Sequence, residues 1–329
     1  MGSKAEQQKA ELIGRAAALA GARLPADRAA EVAAFIERFY ANVAADDLLD
    51  ETPEDLYASA LSLWTFGAQR APSTAKVRVY NPRLEEQGWR SHHTIVEMVN
   101  DDMPFLVDSL TAALSQRDLM VYLVIHPIVR VRRDAAGNRR AGSTGDEIVE
   151  SYIQIRINAQ TAGDRLQEIR SDLDKVLADV RAAVEDWRAT RQRVAETLQS
   201  LDSIAANLPA EEVQEAKAFL QWLDNDHYTF LGYREYDFIG EGDAATLSIA
   251  AGSGLGILRD VEYSVFDGLR NFDQLPPDVR QFMRQPRVLM ITKANRRATV
   301  HRPVQMDTIV IKKFDADGRV IGERLFVGL

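Results

Sequence analysis

The feature that most constrains the fold is a change in the spacing of apolar residues near residue 75. Before this point, over residues 5–70, apolar residues recur every three or four positions, which is the period of amphipathic helices. From Lys76 to Tyr80 they alternate with polar residues, as in a half-buried strand. Prolines near residues 25 and 53 interrupt the helical stretch. The sequence therefore predicts roughly three helices ahead of a β-rich region.

The β-rich region predicts a small antiparallel sheet. Its elements are a strand over His92–Asn100, a helix over Pro104–Arg117, a long strand over Met120–Arg133 and a strand over Glu147–Asn158. Together with the strand near residue 76, the order is β, β, α, β, β, and a helix follows. This order favours an α+β fold in which helices cover one face of the sheet.

A long helix is predicted from Asp164 to about Asn207, because one apolar stripe runs from Leu166 to Leu201 at spacings of three and four. Three explanations stay open: the helix bridges two domains, it packs on a partner subunit, or it forms a free coiled coil. A helix over Glu211–Leu223 follows. The five strand patterns after it are Tyr228–Phe238, Thr246–Ile249, Val288–Thr292, Asp307–Phe314 and Arg319–Val327. We therefore expect an N-terminal helical region over 1–72, a sheet domain over 73–160, a connecting helix over 161–208 and a second α+β domain over 209–329.

Composition limits the classes of function. The chain has no cysteine, which excludes disulfides, thiolate nucleophiles and cysteine-based metal sites. Its net charge of −9 argues against nucleic-acid binding. Its apolar runs are too short to span a membrane and its N-terminus lacks a signal peptide, so we expect a cytoplasmic protein. A strand–turn–strand pattern ends abruptly at Leu329, and we expect the chain to be the front of a longer polypeptide.

No catalytic or metal site is predicted. The segment Gly252–Gly256 has its third glycine one position too early for a dinucleotide fingerprint, which favours a plain loop. The five histidines form no metal-binding pair. The basic segment Lys293–Arg302 is either an anion site or a solvated turn. The same alternatives hold for a group of arginines around a hairpin, namely Arg130, Arg132, Arg133, Arg139 and Arg140.

The candidate ligand site is the turn after the second strand. A proline marks the first helical position. The backbone N–H groups at the start of this helix are exposed and can hold a carboxylate. Alternatively, the acidic residues cap the helix, and their charge would suit an ammonium group. The candidate ligand-binding residues are Asn100, Asp101, Asp102, Met103, Pro104, Phe105 and Asp108.

Three segments resemble the large bacterial NAD-specific glutamate dehydrogenases. His93–Arg133 is similar to their first ACT-type domain, and Trp222–Tyr236 and Arg302–Leu329 are similar to other parts of their N-terminal half. The resemblance implies a parent enzyme that converts L-glutamate to 2-oxoglutarate and ammonium with NAD. It also implies a downstream catalytic domain, no cofactor in this fragment, and ACT-like or PAS-like modules here. ACT domains commonly bind amino acids at subunit interfaces.

Two departures from the ACT pattern stand out. Phe105 follows Pro104 where the family has a glycine, and no final strand follows the long helix, although Ala75–Tyr80 could take that place. We therefore predict a non-catalytic regulatory and assembly segment with an amino-acid effector, in a homo-oligomeric parent. The alternative is an oligomerisation scaffold that binds no ligand.

Overall fold

The computed structural model describes residues 4–140, 146–204, 208–240, 246–265 and 285–329. They form two units, one made of Met1–Met103 with Ala113–Lys175 and the other of Pro104–Ala112 with Val176–Leu329. Helices accompany an antiparallel sheet in each unit. The predicted α+β class is therefore confirmed.

Three N-terminal helices form as the apolar spacing predicts: α1 (Lys4–Arg23), α2 (Ala26–Tyr40) and α3 (Pro53–Phe66). A short 3₁₀ helix at Ala45–Asp47 lies between α2 and α3. At the start of α3, the Thr52 hydroxyl accepts a hydrogen bond from the Asp55 N–H at 3.1 Å, and Pro53 occupies the first helical position. This satisfies an N–H group that the helix itself leaves unpaired.

The first sheet contains six strands. Its strands and the helices between them are, in chain order, β1 (Lys76–Tyr80), α4 (Leu84–Gln87), β2 (Thr94–Asp101), α5 (Leu106–Ser115), β3 (Val121–Ile125), β4 (Ile128–Arg133), β5 (Arg139–Arg140) and β6 (Glu147–Ile157). The strand order is β1-β2-β6-β4-β5, and β3 also pairs with β6. The sequence shows no final ACT strand after the long helix. β1 pairs with β2 at the sheet edge and takes the position of that strand.

The prediction of one long strand over Met120–Arg133 is wrong. The chain breaks at His126 and Pro127 into β3 and β4, and both pair with β6. Proline has no N–H to offer to a ladder, and Pro127 instead accepts a hydrogen bond from the Tyr152 N–H at 3.1 Å. Because of this break, the continuous strand β6 pairs with two short strands, β3 and β4.

The N-terminal helices and the first sheet share one hydrophobic core. The ring of Phe35 lies 4.7 Å from that of Trp64 and 5.5 Å from that of Tyr152 on β6, measured between centroids. Strand residues on the opposite face, such as Val96 and Ile155, are also fully buried. No break in this core marks the boundary expected at residue 72, and the division into four regions stays a prediction.

The second unit holds the other sheet. Its elements in chain order are α6 (Gly163–Glu185, from Val176 onward), α7 (Trp187–Ile204), α8 (Ala210–Trp222), a π-helical turn (Leu223–His227), β7 (Phe230–Ile239), β8 (Thr246–Ile249), β9 (Leu255–Gly256), β10 (Leu289–Arg297), β11 (Gln305–Phe314) and β12 (Val320–Gly328). The order is β10-β11-β12-β7-β8, with β9 also on β7, and all pairs are antiparallel. Helices α7 and α8 contribute Val194 and Leu220 to a core that includes Phe326.

The long helix is interrupted at Asp186, between α6 and α7. The Asp186 carboxylate accepts hydrogen bonds from the Gly256 N–H at 2.7 Å and from Arg259 at 2.6 and 2.7 Å. Most of the predicted stripe is buried within the single chain, whereas Trp187 is 45% exposed. The predicted end near Asn207 lies outside the described residues.

Candidate ligand-binding site

Helix α5 begins at Leu106, and not at Pro104 as the sequence predicts. Phe105 has a φ of 71°, a left-handed conformation that cannot belong to a right-handed helix. Its carbonyl accepts the hydrogen bond from the Ser109 N–H at 3.0 Å, so Phe105 is the residue that caps the helix. Phe105 thus adopts a backbone conformation that glycine reaches more readily, although its side chain is a phenyl ring.

Asp101, the last residue of β2, is part of a buried ion-pair network in the first unit. Its carboxylate pairs with Arg70 Nη2 at 2.5 Å. The same guanidinium binds Glu150 at 2.7 and 2.9 Å, and Arg133 binds Glu150 from another side at 2.6 Å. Glu150 is fully buried, opposite Asp101 in the β2–β6 register. Asp101 therefore helps to balance two buried arginines and does not cap α5.

Asp102 takes part in a second polar chain in the first unit. The Ser151 hydroxyl donates to Asp102 Oδ1 at 2.7 Å and lies 2.9 Å from His126 Nε2. Burial lowers the pKa of His126, and the Asp102 carboxylate opposes that shift. Because the serine proton points to the aspartate and not to the histidine, this is not the arrangement that activates a serine nucleophile. Its effect is to hold the Asp102 side chain in place.

Phe105 and Asp108 meet a distant histidine within the second unit. The His301 Nδ1 lies 3.1 Å from Asp108 Oδ2, and its backbone N–H donates to the Ser109 hydroxyl at 2.9 Å. The ring centroids of His301 and Phe105 are 5.0 Å apart. His301 also has a positive φ, 67°. Two non-glycine residues in left-handed conformations in mutual contact indicate locally stored backbone strain.

The remaining candidate residues have simpler surroundings. Asn100 is buried on β2, in register with Ser151. Met103 is half-buried and Pro104 exposed, in the turn before Phe105. The structure thus gathers Asp101 and Asp102 in the polar networks of the first unit, and Phe105 and Asp108 around His301 in the second.

The glycine-rich segment has a structural role. A Cβ at Gly256 would lie 2.1 Å from the carbonyl oxygen of Leu231, so β9 can approach β7 only with glycine there. The Gly256 N–H is already bound by Asp186. With this amide taken by a protein carboxylate, the structure favours the plain-loop interpretation of the segment.

The basic segment Lys293–Arg302 is largely satisfied within the chain. Lys293 pairs with Asp307 at 2.7 Å, and Arg297 donates to the Pro303 carbonyl at 2.8 Å. Arg296 donates to the Ser264 carbonyl at 3.1 Å and lies over the Tyr263 ring. These contacts argue against an anion site, and the segment is not a plain turn either, because Lys293–Arg297 forms the end of β10.

Sequence reasoning missed the partners that define the site. Arg70 lies 31 residues from Asp101, Ser151 lies 49 residues from Asp102, and His301 lies 193 residues from Asp108. No local pattern joins such residues. The strand alternation that places Glu150 and Ser151 on opposite faces of β6 is the one available signal, since it implies that each needs a polar partner.

The described ranges contain neither a candidate metal site nor a candidate membrane-spanning helix. No group of three histidine, aspartate or glutamate side chains in the described part of the chain is placed to hold a metal ion. Among the same residues, no helix combines the length and hydropathy needed to cross a bilayer.

One family model matches a large part of the chain. The model for "Glutamate dehydrogenase, ACT1 domain" matches residues 35–173. Residues 35–173 are therefore similar to the ACT1 domain of glutamate dehydrogenases. This ACT1 segment begins within α2, which agrees with the core that the N-terminal helices share with the first sheet.

Two curated relatives extend the similarity along nearly the whole chain. The NAD-specific glutamate dehydrogenase of Halomonas elongata is 35% identical over 98% of this chain, and that of Pseudomonas aeruginosa is 33% identical over 91%. The chain spans 20% and 19% of the lengths of these relatives. The resemblance to a segment of the large NAD-specific glutamate dehydrogenases is therefore confirmed.

Proposed function

We propose that this chain is a non-catalytic regulatory and assembly segment of an NAD-specific glutamate dehydrogenase. The parent would oxidatively deaminate L-glutamate to 2-oxoglutarate and ammonium with NAD, in a catalytic domain downstream. The ACT1 match carries this proposal, together with relatives of that name that are about five times as long as the chain. The occupied amide of Gly256 adds support, because it argues against a dinucleotide at the segment Gly252–Gly256.

We further propose that an amino-acid effector binds at Asn100–Met103, the part of the turn that lies in the first unit, with Asp102 receiving its ammonium group. Asp102 is exposed, and Ser151 holds its Oδ1. No hydrogen bond in the described part of the chain uses its Oδ2, which can accept one from an ammonium group. The Ser151 bond fixes the carboxylate before the effector arrives, which lowers the entropy cost of binding.

Calorimetric titration of the chain with L-glutamate, L-aspartate and other amino acids tests this site. We expect saturable binding of at least one, weakened about tenfold or more by Asp102→Asn, since a charge-assisted hydrogen bond is typically worth about 1.5–3 kcal/mol. Glu85→Gln is a suitable control, because Glu85 is an exposed carboxylate on the same unit. Absence of binding with every amino acid, or equal binding by Asp102→Asn, would refute the effector site.

A second candidate function is assembly without ligand binding. Two tryptophans of the second unit, Trp187 and Trp222, are 45% and 50% exposed. Exposed aromatic residues of this size are enriched at protein interfaces. Val180 of the stripe is fully buried, so it belongs to the fold and cannot contact a partner.

Light scattering over a concentration series tests the assembly function. If the tryptophans form an interface, Trp187→Glu shifts an oligomer toward the monomer, because burying a carboxylate against an apolar partner is unfavourable. Val261→Glu is the matched control, since Val261 is an exposed apolar residue of the same unit. A monomer at all concentrations would show that this chain does not assemble by itself.

A further inference from the structure

An open cavity of about 270 Å³ lies in the first unit, beside α2, the end of α3 and the β4–β5 hairpin. Among the described residues that line it, five are arginines, five are apolar, and Glu31 is the sole carboxylate. The hairpin arginines noted in the sequence line this cavity, with the exception of Arg133, which belongs to the Glu150 network. The cavity is separate from the turn that carries the effector proposal.

Three of the five arginines have carboxylate partners. Arg130 and Arg132 share Glu147, at 3.1 and 3.5 Å. Arg140 pairs with Asp134 at 2.6 Å, in a turn where hydrogen bonds from Asn138 lower the pKa of Asp134 to about 2. These pairs compensate part of the positive charge around the cavity and hold the hairpin in shape.

Arg38 and Arg139 have no ion pair with any carboxylate in the described residues. The neighbouring residues 141–145, which lie outside that set, read Ala-Gly-Ser-Thr-Gly and carry no charge. Arg38 is exposed and donates only to the Ile128 carbonyl, at 3.3 Å. Arg139 is held flat on the indole of Trp64, with its guanidinium carbon 3.3 Å from the ring centroid.

Arg139 is oriented as a ready anion receptor. Both of its hydrogen bonds use Nη1, which donates to the Trp64 carbonyl at 2.9 Å and to the Tyr152 hydroxyl at 3.2 Å. No hydrogen bond to a described residue uses Nε or Nη2, the edge that binds a carboxylate through two parallel bonds. Burial lowers the pKa of Arg139, and an anionic partner beside the guanidinium would oppose that shift.

Part of the cavity lining is apolar. Phe35 and Trp64 are both buried, with rings 4.7 Å apart, and Val131 is buried on β4. An inorganic anion gains nothing from such a surface, whereas a short carbon chain does. The guanidiniums of Arg38 and Arg139, which have no carboxylate partner in the described residues, can pair with two negative charges. The cavity volume limits the ligand to a small molecule.

We propose that this cavity binds a small organic dicarboxylate. Its two carboxylates pair with Arg38 and Arg139, and its carbon chain lies against Phe35 and Trp64. The site does not depend on the effector turn, and neither proposal requires the other.

Calorimetric titration with succinate at low ionic strength tests the cavity. We expect succinate to bind, and Arg38→Gln and Arg139→Gln each to weaken it by about tenfold or more. Butyrate, with the same number of carbons and one charge, and inorganic phosphate, with no carbon chain, should both bind about tenfold more weakly or not at all. Asp102→Asn should leave succinate binding unchanged, which separates this site from the effector turn.

Arg90→Gln is the control for a general loss of positive charge, because Arg90 is a 72% exposed arginine of the same unit and does not line the cavity. Arg38→Gln decides the matter if Arg139→Gln does not fold, since Arg38 is exposed and makes one hydrogen bond. No binding of millimolar succinate, full binding by Arg38→Gln, or phosphate binding as tight as succinate would each overturn the proposal.

Discussion

Replacing Glu150 with glutamine is expected to lower the free energy of unfolding by about 3–5 kcal/mol, the usual loss when one partner of a buried ion pair is removed. Glu150 is fully buried, and it is bound by Arg70 and Arg133, whose side chains are 1% and 5% exposed. The variant keeps the shape of the side chain but loses its charge. Arg133 would then lose its carboxylate partner among the described residues, and Arg70 would keep that of Asp101.

Urea unfolding followed by circular dichroism measures this loss as a shift in the midpoint at constant slope. Glu147→Gln is the matched control, because Glu147 is on the same strand and pairs with two arginines at the surface. We expect it to cost less than about 1 kcal/mol. Equal, small losses for both variants would contradict the assigned role of Glu150. In the same variant the Asp101 side chain should become more mobile, because Arg70 binds both Asp101 and residue 150.

In the second unit, Glu323→Gln is expected to cost about 3–5 kcal/mol for the same reason. Glu323 and Lys312 face each other across β11 and β12, with Nζ 2.6 Å from Oε2 and side chains that are 6% and 0% exposed. The single variant removes the carboxylate that stabilises a buried ammonium. Urea unfolding is again the measurement.

The double variant Lys312→Met with Glu323→Leu gives a sharper test of this pair. Replacing a buried ion pair by apolar residues of similar volume is often neutral or stabilising by about 1–4 kcal/mol. We therefore expect the double variant to be more stable than Glu323→Gln alone and close to the parent chain. A double variant that is less stable than Glu323→Gln would show that the pair contributes net stability to the sheet.

Local patterns predict the elements of this fold well. Strands β8 and β12 lie within a residue or two of their predicted bounds, because alternation and turn residues are local signals. The break at Pro127 was visible in the sequence, since proline is disfavoured inside a paired strand. The break at Asp186 was not, because the apolar spacing continues across it and the carboxylate's partners, Gly256 and Arg259, lie more than sixty residues away.

The candidate site shows the same division between local and distant information. The turn after β2 and the unusual Phe105 follow from the sequence and its resemblance to the family. The ion pair of Asp101 with Arg70 and the contact of Asp108 with His301 do not, because they depend on tertiary packing. The hairpin arginines illustrate the remaining difficulty: sequence shows the charges, but only the structure shows that Arg139 lies on Trp64 without a carboxylate partner in the described residues.

The most direct test of the proposed regulatory role is NADH formation from L-glutamate and NAD, measured side by side for the isolated chain and for a full-length protein that contains it. The proposal predicts NADH formation by the full-length protein and none above background by the chain at the same molar concentration. Steady NADH formation by the isolated chain, in proportion to its concentration, would contradict it.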